Sequence, residues 1–212
     1  SSISNIWKDR VAKHQEYTAK IPFSDFKVFD FICQNVPKNS QLQVSNSSAI
    51  RYLQLFDLDK SIQVFCNRGT SGIDGSTSTA IGAALASDLP TMLITGDISF
   101  LYDSNALWNN YIPKNFKIIL LNNSGGGIFR ILPGHQETET FNTYFETSHQ
   151  LNALHLAKMY GFDYYTATDE DSLKTSYKSF LNQNNKPCIL EIFTPEKSNN
   201  RILLDFFGAL KK

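Results

Sequence analysis

An excess of charge of either sign is missing from this sequence. Lys+Arg and Asp+Glu each number 20 in 212 residues, for a formal net charge of zero. Without a basic surplus there is no electrostatic footprint for nucleic acid, and without an acidic one there is no solvating tail. Cysteine is scarce: Cys33, Cys66 and Cys188 are odd in number and widely spaced. That excludes a disulfide framework and zinc-ligand spacing, and it suits reduced thiols in the cytoplasm. No run of about 18 apolar residues occurs, so no transmembrane helix is expected. The opening SSISNIWKDRVAK carries charges where a signal peptide needs an apolar run.

Several catalytic motifs are absent as well. GIDGST has no lysine, so it is not a phosphate-binding P-loop. GGGIFR ends in Arg where a dinucleotide fingerprint has Gly. His14, His135, His149 and His155 show no His-Glu-x-x-His pattern and no zinc spacing. His135 reads as solvated, and His149 and His155 as core or surface residues. There is no Gly-x-Ser-x-Gly elbow, and the aromatic residues are spread along apolar faces, which gives no base-stacking platform.

What is present is an ordinary globular composition, 42% hydrophobic and 19% charged, in a length that suits one sizeable core. Residues 5–19 read as a polar helix with Trp7 and Val11 on one face, and residues 1–22 as an arm or linker from a preceding domain. Ser24 is placed to cap a second helix, with Phe26, Phe29 and Ile32 as its buried face and Pro37 after its end. Beyond it, strands are expected at 42–45, 61–67, 90–97, 116–123, 160–167 and 187–194. Helices are expected after Asn46, at 76–87, 103–110, 149–158 and 169–183, and from the last strand to about Leu210. Strand and helix alternate throughout. Residues 23–212 are therefore expected to form one α/β domain, a three-layer α/β/α stack on a mostly parallel sheet of about six strands.

Open parallel sheets bind ligands at the carboxyl ends of their strands. Three such ends carry unusual residues: Asn67-Arg68-Gly69, Gly96-Asp97-Ile98-Ser99, and Asn122-Asn123-Ser124-Gly125-Gly126-Gly127. Asp97 and Asn123 are 123 − 97 = 26 positions apart, one helix and one strand. On parallel neighbours both side chains reach the same sheet edge. A carboxylate and a carboxamide oxygen are hard ligands suited to Mg2+, which keeps places for phosphate oxygens and water. Gly125 can add a backbone carbonyl, and Ile98 and Ser99 can offer N–H groups to a phosphate. Either residue alone reads more simply as a turn former or helix cap; the pair, with its glycines and spacing, favours the metal.

Gly96-Asp97 followed at this distance by Asn122-Asn123 resembles the signature of the thiamine-diphosphate enzymes. The stretch NRGTSGIDGSTSTAIGAA at 67–84 is more specific. With GDISFLYDSNAL, NNSGGGIFRILPG and SNSSAIR, it resembles the thiamine-diphosphate synthases of menaquinone biosynthesis. Those enzymes make 2-succinyl-5-enolpyruvyl-6-hydroxy-3-cyclohexene-1-carboxylate (SEPHCHC) from 2-oxoglutarate and isochorismate. The likeness covers about residues 42–195.

The resemblance implies roles. Asp97, Asn123 and the Gly125 carbonyl would hold Mg2+ (or Mn2+) against the diphosphate, with Gly96, Ile98, Ser99 and Gly126 beside it. Ile73 would be the wedge that bends the cofactor's two rings into a V. Arg68 would pair with a substrate carboxylate, and Ile128, Phe129 and Leu132 would line the apolar side of the substrate pocket. Asn46 and Ser47 read either as cofactor or substrate contacts or as an N-cap pair. Two positions depart from the family: Ile98 stands where Gly is frequent, and Leu85 where some members place an arginine for a substrate carboxylate. The family's chains have three domains, and this sequence matches only the last. Its glutamate for the aminopyrimidine belongs to a pyrimidine-binding domain of a second subunit. The resemblance therefore implies a homodimer or dimer of dimers, and a chain inactive by itself. The polar segment 135–148, HQETETFNTYFETS, is expected to be a lid ordered by substrate or by a partner domain.

Overall fold

The computed structural model of the protein describes residues 2–132, 134 and 136–211, so the expectation for His135 lies outside the described residues. Six strands form one parallel sheet: β1 (Gln41–Val44), β2 (Gln63–Cys66), β3 (Thr91–Gly96), β4 (Lys117–Asn122), β5 (Asp163–Ala167) and β6 (Cys188–Phe193). Their order across the sheet is β2-β1-β3-β4-β6-β5. From β1 the chain steps outward to β2, then returns to lay β3 on the other side of β1. The sheet's switch point is therefore the β1/β3 boundary, where parallel α/β sheets open a crevice.

Strands buried on both faces need apolar residues in continuous runs, and β3, β4 and β6 supply them. Alternate residues feed two cores. Met92, Ile94, Ile119, Leu121, Leu190 and Ile192 face one layer, while Leu93, Ile118, Leu120 and Ile189 face the other. The first layer holds α2 (Asp25–Asn35), α3 (Ser48–Leu53), α7 (Glu170–Asn182) and α8 (Asn199–Lys211). The second holds α4 (Ser76–Ala86), α5 (Asp97–Tyr102) and α6 (Leu154–Tyr160). The expected three-layer α/β stack is thus the observed one.

Helix α1 (Ser2–Lys20) lies against the first layer through its C-terminal half. Tyr17 donates its hydroxyl to the Ile202 carbonyl at 2.5 Å. His14 sits 5.0 Å from the Phe56 ring and 5.2 Å from that of Phe206. Its other end carries no such contacts: Trp7 is 59% exposed.

Four expectations shift in detail. β2 has an apolar sequence, yet Val64 and Phe65 are 40% and 47% exposed, because it is an edge strand with a neighbour on one side only. The helix expected at 103–110 starts instead at Asp97, directly off β3, and 104–108 is a 3-10 turn. The helix expected at 149–158 starts at Leu154, because the preceding residues are drawn into extended contacts: Asn122 donates to the Leu151 carbonyl and Glu191 accepts from the Ala153 N–H. Segment 136–148 is not merely a polar lid. It contains a π-helical turn, Phe141–Glu146, whose last residue is buried.

Ser24 caps α2 as expected, accepting from the Lys27 N–H. Asp169 caps α7 with a reciprocal capping box to Ser172. Replacing Asp169 with Ala is expected to lower stability, because the first-turn N–H groups of α7 lose their side-chain acceptor. Urea denaturation of both proteins measures it.

Candidate cofactor-binding site

A cavity of about 250 Å³ opens at the switch point. Its walls come from the carboxyl ends of three strands. Asn46 and Ser47 follow β1, Gly96 to Ser99 follow β3, and Asn123, Gly125 and Gly126 follow β4. The β3–β4 register, with Gly96 opposite Leu121, puts Asp97 and Asn123 at one edge as their spacing requires.

Asp97 is buried and tied down. Its Oδ1 accepts from the Ile98 N–H at 2.7 Å and its Oδ2 from the Gly125 N–H at 3.0 Å. The Ile98 N–H, expected to be free for a phosphate, is therefore engaged by its neighbour's carboxylate. His149 Nε2 stands 3.2 Å from Asp97 Oδ2. It lies off the line of a hydrogen bond, so the contact is electrostatic. The Asp97 carboxylate holds the His149 imidazole above its ordinary pKa, against the pull of burial. His149 Nδ1 accepts from the Leu151 N–H, which leaves the ring proton on Nε2. His149, read from sequence as a core or surface residue, thus supports the carboxylate.

Asn122 and Asn123 divide their duties. Asn122 is structural: its Nδ2 donates to Glu191 Oε1 at 2.6 Å, and its Oδ1 accepts from the Ser124 N–H. Asn123 donates Nδ2 to Asp25 Oδ2 at 2.9 Å, while its Oδ1 is buried with no hydrogen-bond partner. Buried polar atoms are rarely left unpaired, and each exception asks for a reason. A cation supplies one.

The donors fit a hard cation and the glycines fit a ligand pressed against the backbone. Among the described residues no group of three or more His, Cys, Asp or Glu side chains is placed to hold a metal. A cation here must therefore use amide and carbonyl oxygens beside Asp97. Gly125 adopts φ +155°, and a Cβ there would meet the Glu146 carbonyl oxygen at 2.7 Å. Ser47 (φ 68°, ψ −130°) and Ser124 (φ 65°) hold backbone conformations that favour glycine. Such strain persists where the surrounding structure imposes it, and it clusters at binding sites.

The other expected residues fall into two groups. Ile73, Ile128 and Phe129 line the cavity with those above. Ile73 is fixed through its carbonyl, which accepts from the Ser99 hydroxyl at 2.5 Å. Asn46 also lines the cavity, but its polar atoms are committed elsewhere. Its Nδ2 donates to the carbonyls of Asn67 and Gly72, and its Oδ1 accepts from Arg68. Asn46 thus braces the 67–75 loop that carries Ile73. Arg68 and Leu132 do not line the cavity. Arg68 is exposed on that loop, with its guanidinium 3.0 Å from Asn46 Oδ1. Leu132 borders a separate shallow recess with Phe129, Phe141 and Phe145.

Sequence reasoning missed part of the wall: Asp25, Phe29, Tyr52, Tyr102, Tyr144 and Phe145. Burial pushes the Asp25 carboxyl up to about 6, with hydrogen bonds from Thr194 and Asn123 opposing the shift. No local signal marks Asp25, which looks like any acidic residue in a helix's first turn.

A carboxylate and an unpaired carboxamide oxygen at adjacent strand ends, beside a Gly-rich turn at the switch point, define a phosphate-cofactor-binding α/β domain. The pattern of the thiamine pyrophosphate enzymes' C-terminal TPP binding domain matches residues 46–192, and the chain belongs to that family. Similar chains include the SEPHCHC synthase of Flavobacterium johnsoniae, 64% identical over 210 residues, which cover 99% of this chain and 38% of that protein. The synthase of Flavobacterium psychrophilum is 68% identical over 205 residues, 97% of this chain and 37% of the relative. That of Bacteroides fragilis is 42% identical over 194 residues, 91% and 35% of the respective chains. This chain thus spans well under half the length of these curated relatives. Among solved structures, a thiamine diphosphate-dependent 4-hydroxybenzoylformate decarboxylase from Rhodococcus jostii RHA1 superposes with a TM-score of 0.63 over 82% of this chain and 33% of that one. At 24% identity the match speaks for the fold alone. No described helix is long and apolar enough to cross a membrane.

Proposed function

We propose that this chain is the diphosphate- and Mg2+-binding part of a thiamine-diphosphate-dependent synthase. The whole enzyme would decarboxylate 2-oxoglutarate and add the succinyl-semialdehyde unit to isochorismate, giving SEPHCHC for menaquinone biosynthesis. The observation that carries the metal site is Asn123 Oδ1, buried and unpaired in the cavity that Asp97 also lines. Support for the particular reaction comes from the synthases named above, at up to 68% identity across nearly the whole chain.

When bound, the cofactor supplies the nucleophilic carbon that takes up the 2-oxo acid; this chain binds and orients it. Asp97, Asn123 Oδ1 and the Gly125 carbonyl would hold Mg2+, or Mn2+ in its place, a hard cation that also takes phosphate oxygens and water. The turn at Gly96–Ser99 and Gly126, which line the cavity, would lie against the diphosphate. Ile73, locked by Ser99, would form the wall under the rings, while Ile128 and Phe129 would exclude water on the substrate side. Arg68 keeps its substrate role on the exposed loop beside the cavity: only its Nη1 is bonded to Asn46, which leaves the other guanidinium N–H groups free for a carboxylate, and Leu132 stands outside the cavity with Phe129. Residues 23–212 form the cofactor domain and 1–22 the segment leading in from a preceding one. The remaining wall of the cleft comes from the pyrimidine-binding domain of a second subunit. The working unit is then a homodimer or dimer of dimers in the cytoplasm, and this chain alone is inactive. A different thiamine-diphosphate decarboxylase is the weaker reading, since only the fold supports it.

Calorimetric titration of thiamine diphosphate into the full-length protein tests the site. Heat is expected with Mg2+ and none with EDTA. Asp97→Ala is expected to weaken binding at least tenfold, or about 1.4 kcal/mol. Binding indifferent to both EDTA and the substitution would overturn the assignment.

A further inference from the structure

An amide side chain can present either its oxygen or its NH2 to a ligand, and only the oxygen binds a hard cation. A metal ligand such as Asn123 therefore needs something to decide which way it faces. We propose that Asp25 is a positioning residue that fixes the Asn123 carboxamide with its oxygen free for the cation, through a relay of hydrogen bonds from the start of α8. The inference rests on the metal-site reading above.

The relay can be followed atom by atom. The Asp25 N–H, a donor only, points at Asn199 Oδ1 at 2.8 Å. The Asn199 NH2 must then face the other way. It donates to the Pro195 carbonyl at 2.8 Å and to Thr194 Oγ1 at 3.4 Å. With its oxygen receiving that bond, the Thr194 hydroxyl sends its proton to Asp25 Oδ1 at 2.5 Å. Asp25 Oδ2 remains, a carboxylate oxygen that can only accept, and Asn123 meets it with Nδ2 at 2.9 Å. Each orientation follows from the one before it, and the last leaves Asn123 Oδ1 unpaired. The reverse orientation would set the Asn123 oxygen against a carboxylate oxygen.

Behind Asn123, which is itself half-buried, the relay is buried: Asp25 is 3% exposed, Asn199 6% and Thr194 8%. Water therefore has little access to substitute for a lost partner. Asp25 and Asn123 are 98 positions apart, so α2 and α8 both act on a ligand that belongs to β4. Partners of this kind behind a metal ligand typically change metal affinity by about 10–100-fold when altered.

The test measures Mn2+ affinity in the full-length protein with thiamine diphosphate present, from the electron paramagnetic resonance signal of free Mn2+. It compares the unchanged protein with Asp25→Asn, Asn123→Asp and the exchange of both. In Asp25→Asn the Thr194 proton still claims an oxygen, so the new NH2 faces Asn123. Asn123 must then turn its own NH2 to the cation side. A loss of at least about tenfold is expected. Asn123→Asp sets two carboxylates against each other and is expected to lose as much. The exchange restores one donor and one acceptor and leaves the total charge unchanged, so affinity should return to within about threefold of the original, well inside the range such partners span. A residue that served only the fold would not be rescued by exchange, and melting curves check that each protein is folded. Should either single variant unfold, the exchanged protein still decides the matter. A folded Asp25→Asn with unchanged Mn2+ affinity overturns the inference, as does a folded exchange protein that binds no better than Asn123→Asp. If the unchanged protein takes up no Mn2+, the metal site itself falls, and the inference with it.

Discussion

Replacing Arg130 with Met is expected to destabilise the protein by about 3–5 kcal/mol, the range for removing one partner of a buried ion pair. Arg130 lies in the 3-10 turn Gly127–Arg130, just beyond the Gly-rich loop, and is 5% exposed. Its Nε and Nη2 donate to the two carboxylate oxygens of Glu146, and its Nη1 donates to Glu137. Its guanidinium also stands 5.6 Å from the centre of the Phe141 ring. Glu146 is 1% exposed, so without Arg130 a buried carboxylate loses its fork of donors. Such forks are strong because both bonds are charge-assisted and geometrically matched.

The loss should be concentrated in one segment. Glu146 also accepts the Gly126 N–H through its carbonyl at 2.6 Å, and His149 donates its N–H to Ser124. Tyr144, Phe145 and Thr147 between them line the cofactor cavity. Releasing Glu146 therefore frees one cavity wall and loosens the loop that carries Asn123. Urea denaturation gives the total, and hydrogen exchange locates it. Amides of residues 136–149 should exchange faster in Arg130→Met, while those of β4 keep their protection. Replacing Glu146 with Met as well should recover much of the loss, because a dry apolar pair replaces a stranded charge. A single variant within about 1 kcal/mol of the original, with unchanged exchange, would contradict the prediction.

How far the sequence alone reaches depends on the range of the interaction. The runs TMLITG, KIILLN and CILEIF announce strands buried on both faces, and they are β3, β4 and β6. Gly96-Asp97 and Asn122-Asn123 mark strand ends by local chemistry, and the parallel register brings them to one edge. Strand order is another matter. Nothing in a run of apolar residues says that β6 inserts between β4 and β5, or that β2 lies at the margin with Phe65 exposed. Periodicity reports which side of an element is buried, not what lies beside it.

The same limit applies within the site. Asp25 acts on Asn123 from 98 positions away, and its neighbourhood reads only as a well-capped helix start. The substrate role of Arg68 comes from the family resemblance alone, and no local pattern shows that its Nη1 meets Asn46 Oδ1. Segment 135–148 reads as a polar lid, yet within it Glu146 is buried against Arg130. The buried arginine that fixes it lies up to sixteen positions away. Polar residues are misread wherever their partners are distant, since sequence shows the cost of burying a charge but not its compensation.

Gly125 joins these two themes, and Gly125→Ala is expected to damage both stability and binding. The glycine holds φ +155°, where an L side chain is strained, at a cost of about 1–3 kcal/mol. A Cβ would stand 2.7 Å from the Glu146 carbonyl oxygen and 3.5 Å from the Ser148 Cα. The first is a backbone atom held by the Gly126 N–H and anchored through Arg130, so it cannot withdraw as a flexible side chain would. Overpacking of this kind adds about 1–3 kcal/mol. The alternative to paying for the clash is to move the loop, and that breaks the Gly125 N–H bond to Asp97 Oδ2 and shifts the Gly125 carbonyl. Either way the Asp97 carboxylate and the Gly125 carbonyl, both assigned to the cation, are displaced from each other. Gly127→Ala is the control: a Cβ there meets only the Asn123 Nδ2, at 3.7 Å, an ordinary contact. Thermal melting and calorimetric titration of thiamine diphosphate with Mg2+ should both be impaired in Gly125→Ala, with binding weakened at least tenfold, or about 1.4 kcal/mol. In Gly127→Ala, at a residue that also lines the cavity, melting should stay near the original. If Gly125→Ala melts and binds like the unchanged protein, the loop is not confined between Asp97 and Glu146, and the cation ligands do not depend on it.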